Sequence, residues 1–260
     1  MKEIYDASIT DPSLEELKEF ALWYNEKIGN YPVIAGGWAV YFYTKGLGSK
    51  DIDVVFAGAA AKNATLLAYF HSHGFKTRHQ SLFDYEFYKE LKAGSRTLEI
   101  IIDAASQDRV ITFEGRKARL PWAWAFKHSV KHEVGKAAIY IPELELLVVY
   151  KLGAILGRND YIRAGNRVAH YRAKIWKDVY DVVSLCSLEM DADKVRKFLK
   201  QSGLDEFAAD ILQIMEDNFN DETRGLLRGT SLDKIRNILL GGRGNAITTK
   251  TPGVFRPRYG

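Results

Sequence analysis

Two glycines and two aspartates in the first quarter of the chain have the types and spacing of a phosphate-handling site. Gly36 and Gly37 follow an apolar run, and Asp51 and Asp53 begin the next one. Successive side chains of a strand point to opposite faces, so the two aspartates share a face and can hold one divalent cation. A glycine pair between a strand and a helix lets the backbone approach a phosphate closely. This order predicts phosphoryl- or nucleotidyl-transfer chemistry.

A third carboxylate is expected on a later apolar segment, residues 98–103. Glu99 and Asp103 lie four positions apart, so both point to the same face of a strand. We favour Glu99 as the catalytic acid and metal ligand, because an acid within a run of β-branched residues needs a reason to be there. Its alternative role is an edge-strand charge that opposes aggregation. Asp103 is the second candidate. Its alternative interpretation is that it simply ends the strand.

Composition narrows the class of protein. The chain has 260 residues, a net charge of +4 and a single cysteine, Cys186, which excludes an intrachain disulfide and a cysteine-rich zinc site. The first residues carry no apolar signal region, and no apolar run reaches the roughly 20 residues that span a bilayer. We therefore expect a cytoplasmic protein with no membrane partner. Residues 158–177 hold six Lys or Arg and one acid, Asp160, which indicates either an anion-binding surface or a solvated segment.

Hydrophobic periodicity predicts alternating strands and helices in the first half and almost only helices in the second. A capping-box pattern at Ser13 opens the first helix, and Pro142 fits the first turn of a later one. Predicted helices cover 13–27, 38–44, 59–73, 142–156, 171–188, 191–201, 205–219 and 231–240, with a loop at 157–166. Predicted strands cover 31–35, 51–57, 85–91, 97–103 and 137–141, with a hairpin turn at 92–95. Short strands and a loop are expected over 105–136.

These elements predict an α/β (α+β) fold, a mixed sheet with flanking helices. The expected organisation is a catalytic domain over residues 1–140, a helical domain over 141–240 and a mobile tail over 241–260. Trp122, Trp124 and Trp176 could stack on a nucleobase, although we favour roles in the core.

The glycine pair followed by Asp51-Ile52-Asp53 and a separate acidic strand resembles the signature of the nucleotidyltransferase superfamily. The second half resembles AbiEii-type (abortive-infection toxin) nucleotidyltransferases, in which a lysine on one helix precedes an arginine and then a Lys-Asp pair on the next helix. Lys151, Arg158 and the pair Lys177-Asp178 match that pattern. The resemblance covers roughly residues 31–188 and implies a nucleotidyltransferase-like fold.

The resemblance implies transfer of a nucleoside monophosphate from an NTP to an acceptor hydroxyl on RNA or tRNA, a protein or a small molecule, with release of pyrophosphate. Asp51 and Asp53 would bind Mg²⁺, and Glu99 would bind a second Mg²⁺ or act as base. Gly36 and Gly37 would cradle the phosphates, Lys151 and Lys177 would neutralise them, and Asp178 would orient Lys177.

Two alternatives remain open. The pairs Lys174–Asp178 and Lys177–Asp181 are four apart and could be ordinary ion pairs on a helix surface. The alternative function is a catalytically inactive nucleotide-binding protein or toxin–antitoxin partner on the same fold, against which the presence of both Asp51 and Asp53 argues.

Overall fold

The computed structural model describes residues 5–58, 64–93, 96–113, 115–227 and 231–241. The helices within these ranges are α1 (Ala7–Ile28), α2 (Gly36–Thr44), α3 (Ala64–Ser72), α4 (Ala123–Lys127), α5 (Leu144–Arg163), α6 (Val168–Cys186), α7 (Ala192–Ser202), α8 (Ala208–Asn218), α9 (Asp221–Leu226) and α10 (Asp233–Leu240). The strands are β1 (Val33–Ile34), β2 (Asp51–Phe56), β3 (Lys76–Gln80), β4 (Asp84–Ala93), β5 (Arg96–Ser106), β6 (Val110–Thr112), β7 (Arg119–Pro121), β8 (Ser129–Val134) and β9 (Ala137–Pro142).

A mixed sheet of order β3-β4-β5-β2-β1-β9-β8 is the centre of the described chain, and β6 and β7 form a second, small sheet. The pairs β2–β5 and β1–β9 are parallel, and the other pairs of the large sheet are antiparallel. The parallel register places Asp53 directly beside Asp103. The predicted mixed sheet with flanking helices and a helical C-terminal region is confirmed. The division into domains at residue 140 stays a prediction.

The core fixes which face of the sheet carries the acids. Ile52 pairs with Ile102 in the sheet, and Ile102 pairs with Phe87. The ring of Phe87 lies 4.6 Å from Phe70 of α3, which stacks in turn at 5.2 Å on Phe20 of α1. Because β2 alternates, burying Ile52 under α1 and α3 leaves the aspartates of β2 on the opposite face. No helix in the described ranges is long and apolar enough to cross a membrane.

The first helix begins earlier than its sequence pattern predicts. Helix α1 starts at Ala7, and the side chain of Asp6 caps it by accepting the backbone N–H of Ser8 at 3.0 Å. Ser13 is fully buried instead, and its hydroxyl accepts the indole N–H of Trp38 at 3.1 Å. The capping-box prediction at Ser13 is wrong because a tertiary hydrogen bond uses the hydroxyl that the local pattern assigned to a cap.

The predicted loop over 157–166 is mostly helix, because α5 continues to Arg163. Gly157 therefore lies inside the helix and does not end it. Pro142 ends β9 instead of starting α5. Periodicity did not predict β3, whose five residues are all exposed and lack apolar alternation, nor did it predict α4 and α9. The predicted turn at 92–95 begins two residues too early, because Lys92 and Ala93 still belong to β4. Residues 94–95 of that turn, residues 59–63 and the tail beyond Gly241 lie outside the described residues.

Candidate active site

A cavity of about 650 Å³ lies between the acidic face of the sheet and helices α5 and α6. Asp51, Asp53 and Asp103 line it from β2 and β5, and Lys151 and Lys177 line it from the two helices. Its volume lies within the usual range for pockets that hold small molecules. The cavity therefore places carboxylates and cations around a space large enough for a nucleotide.

Each glycine of the pair makes room for a neighbouring side chain, Asp53 in one case and Ser49 in the other. A Cβ atom on Gly36 would lie 1.8 Å from Asp53 Oδ2, and one on Gly37 would lie 2.7 Å from Ser49 Oγ. Gly36 also has φ +59°, a conformation that other residues adopt only at a cost. The pair forms the N-terminus of α2, where backbone N–H groups carry partial positive charge, and it lines the cavity. Phosphate binding by these glycines stays a prediction.

Of the three carboxylates that the strands bring to the cavity, two lack a hydrogen-bonded or ion-paired partner among the described residues. Asp51 Oδ2 accepts a hydrogen bond from Lys174 Nζ at 2.9 Å, but Asp51 Oδ1 is buried and has none. Within the described ranges, no side chain or backbone group bonds to the carboxylate of Asp53 or Asp103. Burial raises the pKa of Asp53, and burial followed by the charges of Asp53 and Asp51 raises the pKa of Asp103 to about 7. Crowded carboxylates of this kind favour a cation between them.

The acid on β5 that reaches the cavity is Asp103, and Glu99 does not line it. Glu99 lies four residues, or about 13 Å, earlier on the strand. It forms an ion pair with Arg78 of β3, whose Nη1 lies 3.3 Å from Glu99 Oε2. The order of preference between the two acids is therefore reversed. Glu99 neutralises an arginine in a neighbouring part of the sheet.

A network of buried charges forms the wall opposite the acids. Lys151 Nζ lies 3.0 Å from Asp178 Oδ1 and 2.8 Å from Asp181 Oδ2. Lys177 pairs with Asp181, and Arg158 pairs with Asp178. Lys151 and Arg158 are seven residues apart on α5 and share one face, as do Asp178 and Asp181 on α6. The network places three cations against two carboxylates, and burial lowers the pKa of Lys177.

Two of the pairings expected from sequence differ in the structure. Asp178 bonds Lys151 and Arg158, whereas Lys177 takes Asp181 as its partner. Lys174 bonds Asp51 across 123 residues of sequence, so it does not form the helix-surface pair with Asp178. The Lys177–Asp181 pair does form, but it is buried. These charges belong to the cavity wall and not to a solvated helix face.

The cavity also contains residues that the sequence did not single out. The ring of Tyr5 lies 5.4 Å from Lys177 Nζ, and burial raises the pKa of the Tyr5 hydroxyl to about 12. No local pattern around Tyr5 indicates this contact, because it depends on how the start of α1 meets α6. Ser49 and Arg109 line the cavity as well.

The three candidate tryptophans have different positions. Trp122 lines the cavity and stacks on Tyr150, with ring centroids 4.7 Å apart. Trp176 is buried against Tyr180, and Trp124 packs beside Phe198. Trp122 is therefore the one of the three that a bound nucleotide could contact.

The acids fit a magnesium ion that is shared with a nucleotide. Within the described residues, no three His, Cys, Asp or Glu side chains form a ready-made metal site by themselves. Mg²⁺ is usually held by one or two carboxylates together with substrate phosphates and water. The unsatisfied Asp51 Oδ1 and the partnerless carboxylate of Asp53 supply the hard oxygen ligands that such an ion needs. The donor set therefore suits Mg²⁺.

Comparison with known proteins includes two distant structural likenesses. No protein-family model matches the sequence, and no curated protein is significantly similar to it. An antigenic nucleotidyltransferase-like protein from Paracoccidioides brasiliensis has a similar structure, with TM-score 0.45, 13% identity, and coverage of 80% of this chain and 94% of that one. JHP933 from Helicobacter pylori has TM-score 0.49 and 14% identity, with 90% and 94% covered. At these values, neither neighbour identifies a function or a residue of this chain.

Proposed function

We propose that this chain is a magnesium-dependent nucleotidyltransferase, which moves a nucleoside monophosphate from an NTP to an acceptor hydroxyl and releases pyrophosphate. One observation carries the proposal: a single cavity holds the acids of two adjacent strands opposite a buried cluster of cations. Phosphoryl-group transfer needs both, because a metal must be held and the charge of a triphosphate must be neutralised.

In this proposal, Asp51 and Asp53 hold Mg²⁺ together with the triphosphate. The bound ion would neutralise charge and polarise the phosphate that is attacked. Asp103 would hold a second ion or take the proton of the acceptor hydroxyl, because it lies beside Asp53 in the cavity. In the transfer, the acceptor oxygen bonds to the α-phosphorus as the bond to the bridging oxygen breaks, and pyrophosphate leaves.

The opposite wall would bind the triphosphate. Lys151, Arg158 and Lys177 place positive charge on the cavity side of α5 and α6. Their carboxylate partners, Asp178 and Asp181, hold these three side chains in place. A triphosphate would bind the N–H groups of the cations that the two carboxylates do not use. The N-terminus of α2 would add the partial charge of its backbone N–H groups.

A finer assignment rests on the sequence resemblance. Lys151, Arg158 and the pair Lys177-Asp178, which match the AbiEii-type pattern, all line one cavity, and this supports a relation to those enzymes. We propose on that basis a cytoplasmic enzyme whose acceptor is an RNA, a protein or a small molecule, with a toxin–antitoxin system as its setting.

The test is transfer of label from α-³²P-labelled NTPs to RNA, protein or the chain itself, with Mg²⁺ present and pyrophosphate measured in parallel. Asp53→Asn should abolish transfer and leave the far-UV circular dichroism unchanged. Asp193→Asn is the matched control, because this aspartate is exposed on α7 and, among the described residues, pairs with Arg196 alone. Nucleotide binding without transfer in the unmodified chain would contradict the proposal and favour the inactive nucleotide-binding alternative.

A further inference from the structure

Lys174 of α6 is the cation that contacts the acids of the sheet. Its Nζ lies 2.9 Å from Asp51 Oδ2, and within the part of the chain that the structure describes this is the one ion pair of Asp51, Asp53 and Asp103. Burial and the two neighbouring aspartates raise the pKa of Asp103, and the charge of Lys174 opposes that rise. The ammonium is therefore a counter-ion to more than one of the acids.

Lys174 bonds to the sheet because the carboxylate four residues along its own helix is already neutralised. Asp178 lies 3.0 Å from Lys151 Nζ and also pairs with Arg158. Residues 174, 177 and 178 are three or four positions apart, so they share one face of α6, and all three line the cavity. Lys174 is therefore the member of the cationic wall that reaches across to the acids.

The position of this ammonium conflicts with a metal ion on the same carboxylate. In the proposed function, Asp51 and Asp53 hold Mg²⁺. Asp51 Oδ1 is buried and has no partner, so it is open to the ion. An ion there would share the carboxylate with Lys174, and two cations so close repel each other. Lys174 therefore opposes a divalent cation that arrives without other ligands.

Lys174 is also able to leave Asp51. Its side chain is 28% exposed, against 9% for Lys151 and 7% for Lys177, so it is less enclosed than the other lysines of the wall. A lysine ammonium is carried on a flexible four-carbon stem. It lines the cavity in which the triphosphate would lie, and a phosphate oxygen can replace a carboxylate as its partner.

We propose that Lys174 makes the binding of metal and nucleotide interdependent. In the free protein, its ammonium occupies Asp51 and weakens the binding of a bare divalent cation. When the cation arrives with the triphosphate of an NTP, Lys174 exchanges Asp51 for a phosphate oxygen, and the opposition disappears. The exchange rests on the proposed function, whereas the competition at Asp51 rests only on a cation site at the acids.

A purely structural ion pair would respond in the opposite direction. If Lys174 only held Asp51 in place, its loss would displace the carboxylate and weaken metal binding. If Lys174 competes with the metal, its loss leaves a more negative site with both oxygens of Asp51 free, and metal binding becomes tighter. The sign of the change therefore separates the two roles.

Binding of Mn²⁺ to the nucleotide-free chain is measured from the electron paramagnetic resonance signal of the free ion, because Mn²⁺ prefers the same oxygen ligands as Mg²⁺. Lys174→Met removes the charge and keeps a long apolar stem. It should tighten Mn²⁺ binding about 10- to 100-fold, the fold-change that corresponds to one hydrogen bond between charged groups. Lys174→Arg keeps the charge and should bind Mn²⁺ like the unmodified chain.

The matched control is Lys200→Met, which changes the net charge equally. Lys200 is exposed on α7 and does not line the cavity, so Mn²⁺ binding should stay unchanged. An unchanged or weaker Mn²⁺ affinity in Lys174→Met, or an equal tightening in Lys200→Met, would overturn the inference.

The exchange is tested with the α,β-methylene analogues of the four NTPs, which cannot release pyrophosphate. With Mn²⁺ at saturation, Lys174→Met should bind the analogue that the unmodified chain prefers within about 3-fold of its affinity, because the phosphate bond that Lys174 makes replaces the bond to Asp51. The factor by which nucleotide strengthens Mn²⁺ binding should therefore fall about 10- to 100-fold, and by linkage the reverse factor falls equally.

The outcomes separate this inference from the proposed function. Equal tightening of Mn²⁺ binding with and without the analogue would overturn the exchange, since Lys174 would then stay on Asp51. No Mn²⁺ binding by any of these chains would overturn the inference together with the proposed metal site. The expected binding pattern in a chain that transfers no nucleotide would contradict only the proposed function.

Discussion

Replacing Gly36 with alanine should remove nucleotidyl transfer. The new Cβ would lie 1.8 Å from Asp53 Oδ2, whereas ordinary contact begins at 3.4 Å, so the carboxylate must retreat by about 1.6 Å. A displacement of about 1 Å at a reacting centre can cost about 100-fold in rate. We therefore expect the transfer rate to fall by at least about 100-fold at saturating NTP and Mg²⁺.

The same substitution also strains the backbone, and that effect must be measured separately. Alanine at φ +59° costs about 1–2 kcal/mol of stability. Gly29→Ala is the matched control, because Gly29 has φ +71° and no atom within 4 Å of the added Cβ. Urea unfolding should show a loss of about 1–2 kcal/mol for Gly29→Ala and at least that for Gly36→Ala.

The two variants should differ in activity. Gly29→Ala should transfer nucleotide at the rate of the unmodified chain, because its Cβ meets nothing and lies away from the cavity. Equal transfer rates for Gly36→Ala and Gly29→Ala would refute the reasoning, since the position of the Asp53 carboxylate would then not matter.

Three further predictions follow from the cavity. Asp103→Asn should lower transfer strongly while Glu99→Gln leaves it unchanged, and the opposite result in the labelled-NTP assay would restore Glu99 as the third acid. Asp181→Asn should cost about 3–5 kcal/mol in urea unfolding, because it leaves Lys151 and Lys177 buried without their shared partner; a loss below about 1 kcal/mol, the value of an exposed pair, would contradict this. Burial, followed by the charges of Asp53 and Asp51, raises the pKa of Asp103 from its ordinary value of about 4 to about 7, so the native state keeps a proton that the unfolded chain releases between these values. Without divalent metal, the stability of the unmodified chain should therefore fall as pH rises from about 4 to about 7, and Asp103→Asn should reduce that fall in a series of urea titrations.

Local sequence patterns were sufficient to predict the position of a side chain where a single strand or helix determines it. The alternation around Ile52 predicted that Asp51 and Asp53 share a face, and the core under α1 and α3 explains why they face away from it. That inference needs only the period of a strand. Arg158 shows the limit of the same reasoning, because it fell in the predicted loop 157–166, whereas α5 continues through it and brings it to the cavity with Lys151.

Contacts between distant elements could not be predicted in this way. The bond between Lys174 and Asp51 joins residues 123 apart, and the nearer carboxylate on its own helix made a surface pair with Asp178 the simpler expectation. Ser13 shows the same limit, because its hydroxyl had a local use as a cap and a tertiary use with Trp38. Burial decides between these two uses. Leaving the indole N–H of Trp38 unsatisfied in the core would cost more free energy than losing the Ser13 cap, because Asp6 caps the helix instead.

Which of Glu99 and Asp103 reaches the cavity depends on the register in which β5 pairs with β2. The two-residue period of a strand gives no information on that register. Both acids occupy the same face of β5, so any argument from alternation treats them as equal. Parallel pairing with β2 separates them, because it sets Asp103 beside Asp53 and leaves Glu99 next to Glu90 of β4 and within reach of Arg78. An acid inside an apolar strand did need a reason to be there, and a cross-strand arginine supplies it as well as a metal would. A lone carboxylate in a strand therefore indicates a partner of opposite charge, and only the register of the neighbouring strand shows whether that partner is an arginine or a metal site.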